Sequence, residues 1–383
     1  MREYLYIMIV AAAVTYLTTP LVRRVARRIG AITPVRDRDV HAVPIPRLGG
    51  TAMLLGLIAA FVAASRMPFL SQLFAGTHAP YAVLFGAAAV CVLGIADDLW
   101  SLDAVTKLAG QALAAGVMAW QGIQLVSLPV AGVTIPSAGM LLVLTVFAVV
   151  VTINAVNFVD GLDGLAAGIV GIASSAFFVY SYLLSRDISR SAGLGDFSSL
   201  ASLITASLVG CCLGFLPHNF NPARIFMGDS GSMLLGLLLA TSTIAITGQV
   251  DPTVVSQAKI VPAFFPLALP VAVLALPLID LGLAVVRRTR AGRMPWQPDK
   301  MHLHHRMLAL GHSHARAVLI LYLWTATVAF GVASIAFVSP LTALGLGLVS
   351  VGVAFALTLG PLRVRRPAPA RRHRLPAADV HAQ

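Results

Sequence analysis

Apolar runs of bilayer-spanning length alternate with short polar segments along nearly the whole chain. Runs of about 17–25 residues mark candidate spanning helices. They lie at Tyr4–Val22, Leu48–Ala64, Tyr81–Ala96, Val105–Trp120, Ser137–Ile153, Leu165–Leu184, Ser198–Leu216, Gly231–Thr247, Ile260–Val286, Ala315–Phe337 and Leu341–Pro361. This pattern predicts an all-α polytopic integral membrane protein of eleven spans, or ten if one of the two short runs, Leu48–Ala64 or Val105–Trp120, fails to cross. Residues 1–362 read as a single membrane domain. The tail at 363–383 is rich in Arg, Pro and Ala, a composition that predicts disorder. No repeat at a fixed period stands out.

Composition agrees with the pattern. Hydrophobic residues make up 58% of the chain and charged residues 11%, where a soluble domain carries about 45–50% and about 25%. The loop cations set an orientation. With the N-terminus outside, 22 of the 27 Lys and Arg fall on the cytoplasmic side, which the positive-inside rule reads as N-out and C-in. That assignment also puts every acid-rich segment on the cytoplasmic side. The net charge of +12 therefore reads as topology determinants facing anionic lipid, not as a nucleic-acid surface. The first span has its positive cluster after the apolar run, unlike a cleaved signal peptide. Cys91, Cys211 and Cys212 all fall within predicted spans, without metal spacing, and read as packing residues.

Polar residues interrupt this chain at a few places, and a carboxylate near lipid costs about 2.5–3.5 kcal/mol at a helix centre. The first interruption is Asp97-Asp98, with Asp103 and Lys107 following. Asp103 is placed to cap the next helix, with Lys107 as a partner for Asp103 or for a phosphate. The Asp97-Asp98 pair sits at a helix C-terminus, where the macrodipole disfavours negative charge and a compensating cation is expected. The second interruption is Asn154, Asn157, Asp160 and Asp163, recurring every third residue. Its neutral and anionic oxygens suit Mg²⁺ and hydrogen bonds to a polar ligand. A purely structural polar cluster between helices is the lesser alternative.

The third is Asn221–Ser232, in which Asp229 is the evident metal ligand, Ser232 a donor for phosphate, and the helix-start amides an anion site. Phe226 reads as a stacking partner for a base or as an interfacial anchor. A later loop carries His302, His304, His305 and Arg306; beside so many cations these histidines suit a phosphate or a sugar better than zinc. The run Ile260–Val286 holds four prolines and Asp280, which reads as simple curvature or as a bent helix opening a groove for a lipid tail.

Four pieces, in order, resemble one family. They are Asp97–Leu108 (DDLWSLDAVTKL), Asn154–Gly168 (NAVNFVDGLDGLAAG), Asn221–Gly236 (NPARIFMGDSGSMLLG) and His302–Leu308 (HLHHRML). Together they are similar to the polyprenyl-phosphate N-acetylhexosamine-1-phosphate transferases, the MraY/WecA-like enzymes of bacterial inner membranes, across nearly the whole chain. The resemblance implies transfer of a sugar 1-phosphate from a UDP-sugar to a polyprenyl phosphate, with release of UMP. It also implies a cytoplasmic active site in the loops and a need for Mg²⁺, with Mn²⁺ as the natural substitute.

By resemblance Asp229 and Asn157 hold the metal, and Asp163 and Phe226, with Asp160 and Asn154 nearby, bind the nucleotide. Lys107 and Arg306 meet phosphates, and His302, His304 and His305 read the sugar. Asp97 or Asp98 orients the acceptor phosphate or takes its proton. The form of the histidine loop resembles the UDP-GlcNAc branch (WecA and TagO type) rather than the pentapeptide branch, MraY itself, which carries three consecutive histidines and an acidic residue. The abundance of Arg and Ala hints at an actinobacterial wall-linker role. An intramembrane prenyltransferase fits less well, because the Asp-Asp-x-x-Asp spacing is missing. A transporter fits less well, because the polar groups gather at one face. Small residues in the spans would permit a homodimer.

Overall fold

A computed structural model of the 383-residue chain describes residues 1–33, 44–126, 137–191, 198–247 and 312–359, with four isolated positions at 286, 289, 290 and 292. Apart from Val286, the Pro-rich run Ile260–Val286 with Asp280, the loop containing His302, His304, His305 and Arg306, and the tail from 363 lie outside the described residues.

The described chain is helical apart from one two-stranded ribbon. In order it comprises α1 (Arg2–Arg28), β1 (Ile32–Thr33), β2 (Ile45–Pro46), α2 (Gly49–Arg66), α3 (Gln72–Ala75), α4 (Ala79–Trp100), α5 (Ala104–Trp120), α6 (Ala138–Val159), α7 (Leu165–Ser191), α8 (Leu200–Asn219), α9 (Gly228–Thr247), α10 (His314–Ile335) and α11 (Pro340–Leu359). Nine of these helices are long and apolar enough to cross a membrane. α5, at 17 residues, spans about 26 Å at 1.5 Å per residue and is the short span that the sequence marks at Val105–Trp120. The protein is a multi-pass membrane protein.

Ten of the eleven predicted spans thus have a helix, and several helices run further than their apolar runs. α6 continues six residues past Ile153 and carries Asn154 and Asn157 in its last turns. α9 begins three residues before Gly231, so Asp229 stands in its first turn. Polarity misplaces both ends, because hydropathy registers the lipid-facing core of a helix and not its wet terminal turn. The described site residues consequently sit on helix ends and the corners joining them.

α9 lies at the centre, buried along nearly its whole length and packed against α2, α4, α6, α7 and α8. α1 lies across α2 and α8, and α7 carries α10, which carries α11. α11 is largely exposed and presents Leu341, Leu344, Leu348 and Val349 outward, as a lipid-facing helix should. Small residues let the central helices approach closely. A Cβ on Gly50 of α2 would strike the backbone of Ser230 and Gly231, and one on Gly94 of α4 the backbone of Asp229 and Ser230.

Polar residues collect at the end of the bundle where α4 and α6 finish and α5 and α9 start. The opposite end is closed by aromatics: Tyr4 packs edge-on against Phe69, Phe178 and Tyr182, and its hydroxyl accepts from the Ser199 amide at 2.9 Å. All three cysteines are free and buried, as packing residues are.

Candidate active site

The polar end is built from helix caps. α4 ends when Ser101 turns left-handed (φ 53°) and its amide donates to the Asp97 carbonyl. The Asp97 side chain accepts from the Leu102 amide at 2.8 Å. Two residues on, Asp103 caps α5, accepting from the Val105 and Thr106 amides at 2.9 and 3.0 Å and from the Thr106 hydroxyl at 2.5 Å. Those Thr106 bonds hold the exposed Asp103 carboxyl below the usual carboxylate range. The tight α4–α5 corner brings Lys107, one turn into α5, back over the end of α4.

Lys107 does not pair with Asp103. Its ammonium lies 2.5 Å from Asp97 Oδ2 and 3.1 Å from Asp229 Oδ2, so one cation joins the end of α4 to the start of α9. From the last turn of α6, Asn157 Nδ2 donates to Asp229 Oδ1 at 2.5 Å and to Ser232 Oγ at 2.8 Å. The other α9 carboxylate contact comes from Asp98, whose oxygens accept from the amides of Asp229 (3.1 Å) and Ser230 (3.3 Å). The anion at this helix start is therefore the chain's own carboxylate, and Ser232, fully buried, bonds to Asn157 rather than facing a ligand.

The segment before α2 closes the site from another side. β1 and β2 pair antiparallel, Ile32 opposite Pro46. The Phe226 amide donates to the Pro46 carbonyl at 2.9 Å, and the first amides of α2, Gly49 and Gly50, donate to Phe226 and Met227 carbonyls at 3.0 Å each. Arg47, in the same segment, donates from Nε to Thr33 Oγ1 at 2.6 Å and places Nη1 3.8 Å from Asp98 Oδ1. Sequence reasoning counted Arg47 only as a topology cation; the usable signal was the adjacent Gly49-Gly50 pair, a mark of close backbone approach.

The structure thus brings Asp97, Asp98, Lys107, Asn157 and Asp229 together. Their accessibility differs: the side chains of Lys107 and Asp229 are 28% and 24% exposed, those of Asp97 and Asp98 5% and 0%. Asp229 is the carboxylate a ligand can reach. Asp160, just past α6, is half-buried. Burial first, then the negative charges of Asp229 and Asp98, push its carboxyl up to about 7.

Other sequence candidates are used differently. Asn154 Nδ2 donates to Gln111 Oε1 at 2.7 Å and to the Val150 carbonyl at 2.8 Å, tying α6 to α5. Asp163 is buried, with 1% of its surface exposed, and Oδ2 accepts from Asn221 Nδ2 and the Ala223 amide, both at 3.0 Å. Its own amide donates to His314 Nε2 at 3.2 Å. Asn219, which the sequence does not flag, accepts from the Gly164 amide at 3.1 Å and donates to the Ile225 carbonyl at 3.0 Å. Tyr322 of α10 donates to the Gly164 carbonyl. Asp163, Asn219, Asn221 and Tyr322 thus form a scaffold locking two corners together. Phe226, half-buried, is held by its backbone.

Donor chemistry bears on a divalent cation here. Asp97, Asp98, Asp160 and Asp229 outnumber Lys107 and Arg47, and the reachable donors are hard oxygens. Among the described residues no three His, Cys, Asp or Glu side chains form a complete metal cage. Mg²⁺ commonly takes one or two carboxylates and fills its octahedron with water and substrate phosphates, so Asp229 with the side-chain oxygen of Asn157 could hold it.

Comparison with known proteins bears on the same residues. Residues 80–247, which hold Asp97 through Asp229, match glycosyl transferase family 4. A decaprenyl-phosphate N-acetylglucosaminephosphotransferase of Mycobacterium tuberculosis is 45% identical over 368 residues, 94% of this chain and 90% of the relative. A probable undecaprenyl-phosphate N-acetylglucosaminyl 1-phosphate transferase of Bacillus subtilis is 33% identical, over 82% of this chain and 80% of the relative. An undecaprenyl-phosphate alpha-N-acetylglucosaminyl 1-phosphate transferase of Haemophilus influenzae is 31% identical, over 80% and 79%. With that identity along almost its whole length, the chain belongs to the polyprenyl-phosphate N-acetylhexosamine-1-phosphate transferases of glycosyl transferase family 4.

Proposed function

We propose that this protein transfers GlcNAc-1-phosphate from UDP-GlcNAc to a polyprenyl phosphate, with Mg²⁺, at the cytoplasmic face of a bacterial plasma membrane. The observation that carries the reading is the junction at Asp229, where Lys107 and Asn157 converge on one reachable carboxylate and Lys107 joins it to Asp97, in a chain 45% identical to a decaprenyl-phosphate N-acetylglucosaminephosphotransferase. The cation bias of the loops supports the cytoplasmic placement, and the lipid acceptor accounts for a site built at the end of a membrane bundle.

The acceptor phosphate oxygen bonds to the β-phosphorus of UDP-GlcNAc as the bond from that phosphorus to the α–β bridging oxygen breaks. UMP leaves with the electron pair. One phosphoanhydride forms and one is lost, so the exchange needs no ATP. Two anions must meet, and catalysis is chiefly charge compensation and alignment. Mg²⁺, held by Asp229 and Asn157, would fix phosphate oxygens and offset their charge. Lys107, partly exposed, can turn from Asp229 toward a phosphate. Asp97, behind the ammonium, keeps it charged and aimed. Its burial favours that orienting role over taking a proton from the acceptor.

The test is release of UMP and formation of a lipid-linked sugar by purified protein in nanodiscs given UDP-GlcNAc, decaprenyl or undecaprenyl phosphate and Mg²⁺. No UMP under conditions where a family control turns over would sink the reading. Turnover of UDP-MurNAc-pentapeptide instead would keep the family chemistry and reassign the donor.

A further inference from the structure

We propose that Asp98 is a positioning residue: its buried carboxylate caps α9 from the end of α4 and so fixes the backbone that aims Asp229. The inference rests on the reading of Asp229 as the carboxylate that meets the reactants.

Four observations carry it. Both Asp98 oxygens are engaged, accepting from the amides of Asp229 and Ser230 across 131 and 132 residues of sequence. A carboxylate at a helix N-terminus satisfies otherwise orphaned amides and opposes the positive end of the dipole. Its side chain is 0% exposed, so reaching a substrate would mean leaving the cap. Gly228 has φ +69°, and a Cβ there would run into the Asp98 carboxylate itself, so the turn into α9 is shaped around this group. Arg47 Nη1, 3.8 Å away, is its counter-charge, and the Arg47 Nε bond to Thr33 anchors that cation in the β1–β2 ribbon.

The adjacent Asp97 differs on each point, since it faces Lys107 and the corner amide of Leu102. Successive residues on a helix point about 100° apart. The Asp-Asp pair is therefore split, one carboxylate turned to the cation that meets the reactants and one turned into the protein.

Asn is as good an N-cap as Asp, and Asp98→Asn keeps an oxygen for the Asp229 amide while removing the negative charge and any role as a base. The experiment compares wild type, Asp98→Asn and Asp98→Ala in nanodiscs. Hydrogen exchange is followed at residues 228–232, and UMP release across a pH range. Expected are near-wild-type exchange, at least a tenth of the activity and an unchanged pH profile for Asn. Ala should give faster exchange confined to that segment and a loss of about a hundredfold or more.

Two results would overturn the proposal: an Asn variant that keeps its exchange protection yet loses activity as deeply as Ala, or an Ala variant whose exchange at 228–232 is unchanged. If Asp98→Ala does not fold, the Asn variant alone decides between cap and chemistry. If the wild-type protein itself released no UMP, the proposed function would fail, while the exchange comparison would still decide whether the cap exists.

Discussion

Asn157, closing α6, donates its amide to the Asp229 carboxylate, opening α9, at 2.5 Å. The carboxylate thereby has its oxygens oriented before any ligand arrives, and a second amide hydrogen held by Ser232 fixes the Asn157 rotamer. Asp229→Ala should lower UMP release at least about a thousandfold and abolish its Mg²⁺ dependence. Asn157→Ala should cost about a hundredfold, near 2.7 kcal/mol, with more Mg²⁺ needed for half-maximal rate. Titrating Mg²⁺ against initial rate measures both; near-normal turnover by Asp229→Ala would remove it from the metal site.

Lys107 stands between Asp97 and Asp229. Replacing it with Met leaves a buried Asp97 uncompensated, and breaking a buried pair from one side costs about 3–5 kcal/mol. The partial exposure of Lys107 puts the expectation at the low end. The melting temperature in detergent should fall, and added Mg²⁺ should recover part of it by replacing the lost positive charge. Lys107→Arg should keep most of the stability but little of the rate, since a planar guanidinium cannot mimic a pivoting ammonium. A Met variant as stable as wild type would show that the ion pairs contribute nothing.

Asp160 gives the site a pH dependence in the metal-free protein. Its folded value is raised to about 7 from an unfolded value of about 3.9, so the folded state binds the proton more tightly. Stability from this group is therefore full below about pH 4 and declines as pH rises toward 7. Asp160→Asn removes that decline. At pH 8 the variant should melt about 2–4 °C above wild type, at pH 4 no higher, and Mg²⁺ should narrow the difference at pH 8 by offsetting the same repulsion. A difference independent of pH would show that Asp160 does not titrate in this window.

The spans were legible because lipid demands long apolar runs, and the acidic segments because a carboxylate beside lipid needs a reason. The partners were less so. Lys107 could be paired with Asp103 from their one-turn spacing, but its actual partners are Asp97 and Asp229, the latter 122 residues away. Asp98 and Asp97 are indistinguishable as neighbours in sequence; only the approach of α9 separates them. Arg47 looked like one more topology cation because its contact with Asp98 depends on a two-residue ribbon too short to leave a pattern. The three-residue rhythm of Asn154, Asn157, Asp160 and Asp163 drifts about 60° per step on a helix, so the four cannot share one narrow face. The helix ends between Asn157 and Asp160, so the four face α5, α9, the site margin and a buried corner in turn.

Gly94 lets α4 touch the backbone of α9 at Asp229 and Ser230. A larger side chain there must push the first turn of α9 aside, at a cost of about 1–3 kcal/mol for overpacking. Gly94→Val should therefore lower both melting temperature and kcat. Gly86, on the same helix but facing only side chains at ordinary contact distance, should tolerate Ala with little loss. Comparing the two substitutions in one assay separates displacement of Asp229 from general damage to α4; equal losses would remove the distinction.

Asp163 holds the Asn221–Ala223 corner from inside the protein. If its work is that of a brace, Asp163→Ala leaves a half-buried backbone amide and a side-chain amide without their acceptor. Each such loss costs about 1–3 kcal/mol, and the variant should lose thermal stability along with kcat. A nucleotide contact makes a different demand: KM for UDP-GlcNAc would rise with stability unchanged. Thermal unfolding and full donor kinetics on the same preparation read both. A selective rise in KM would restore Asp163 to the nucleotide site and imply that the corner opens when donor binds.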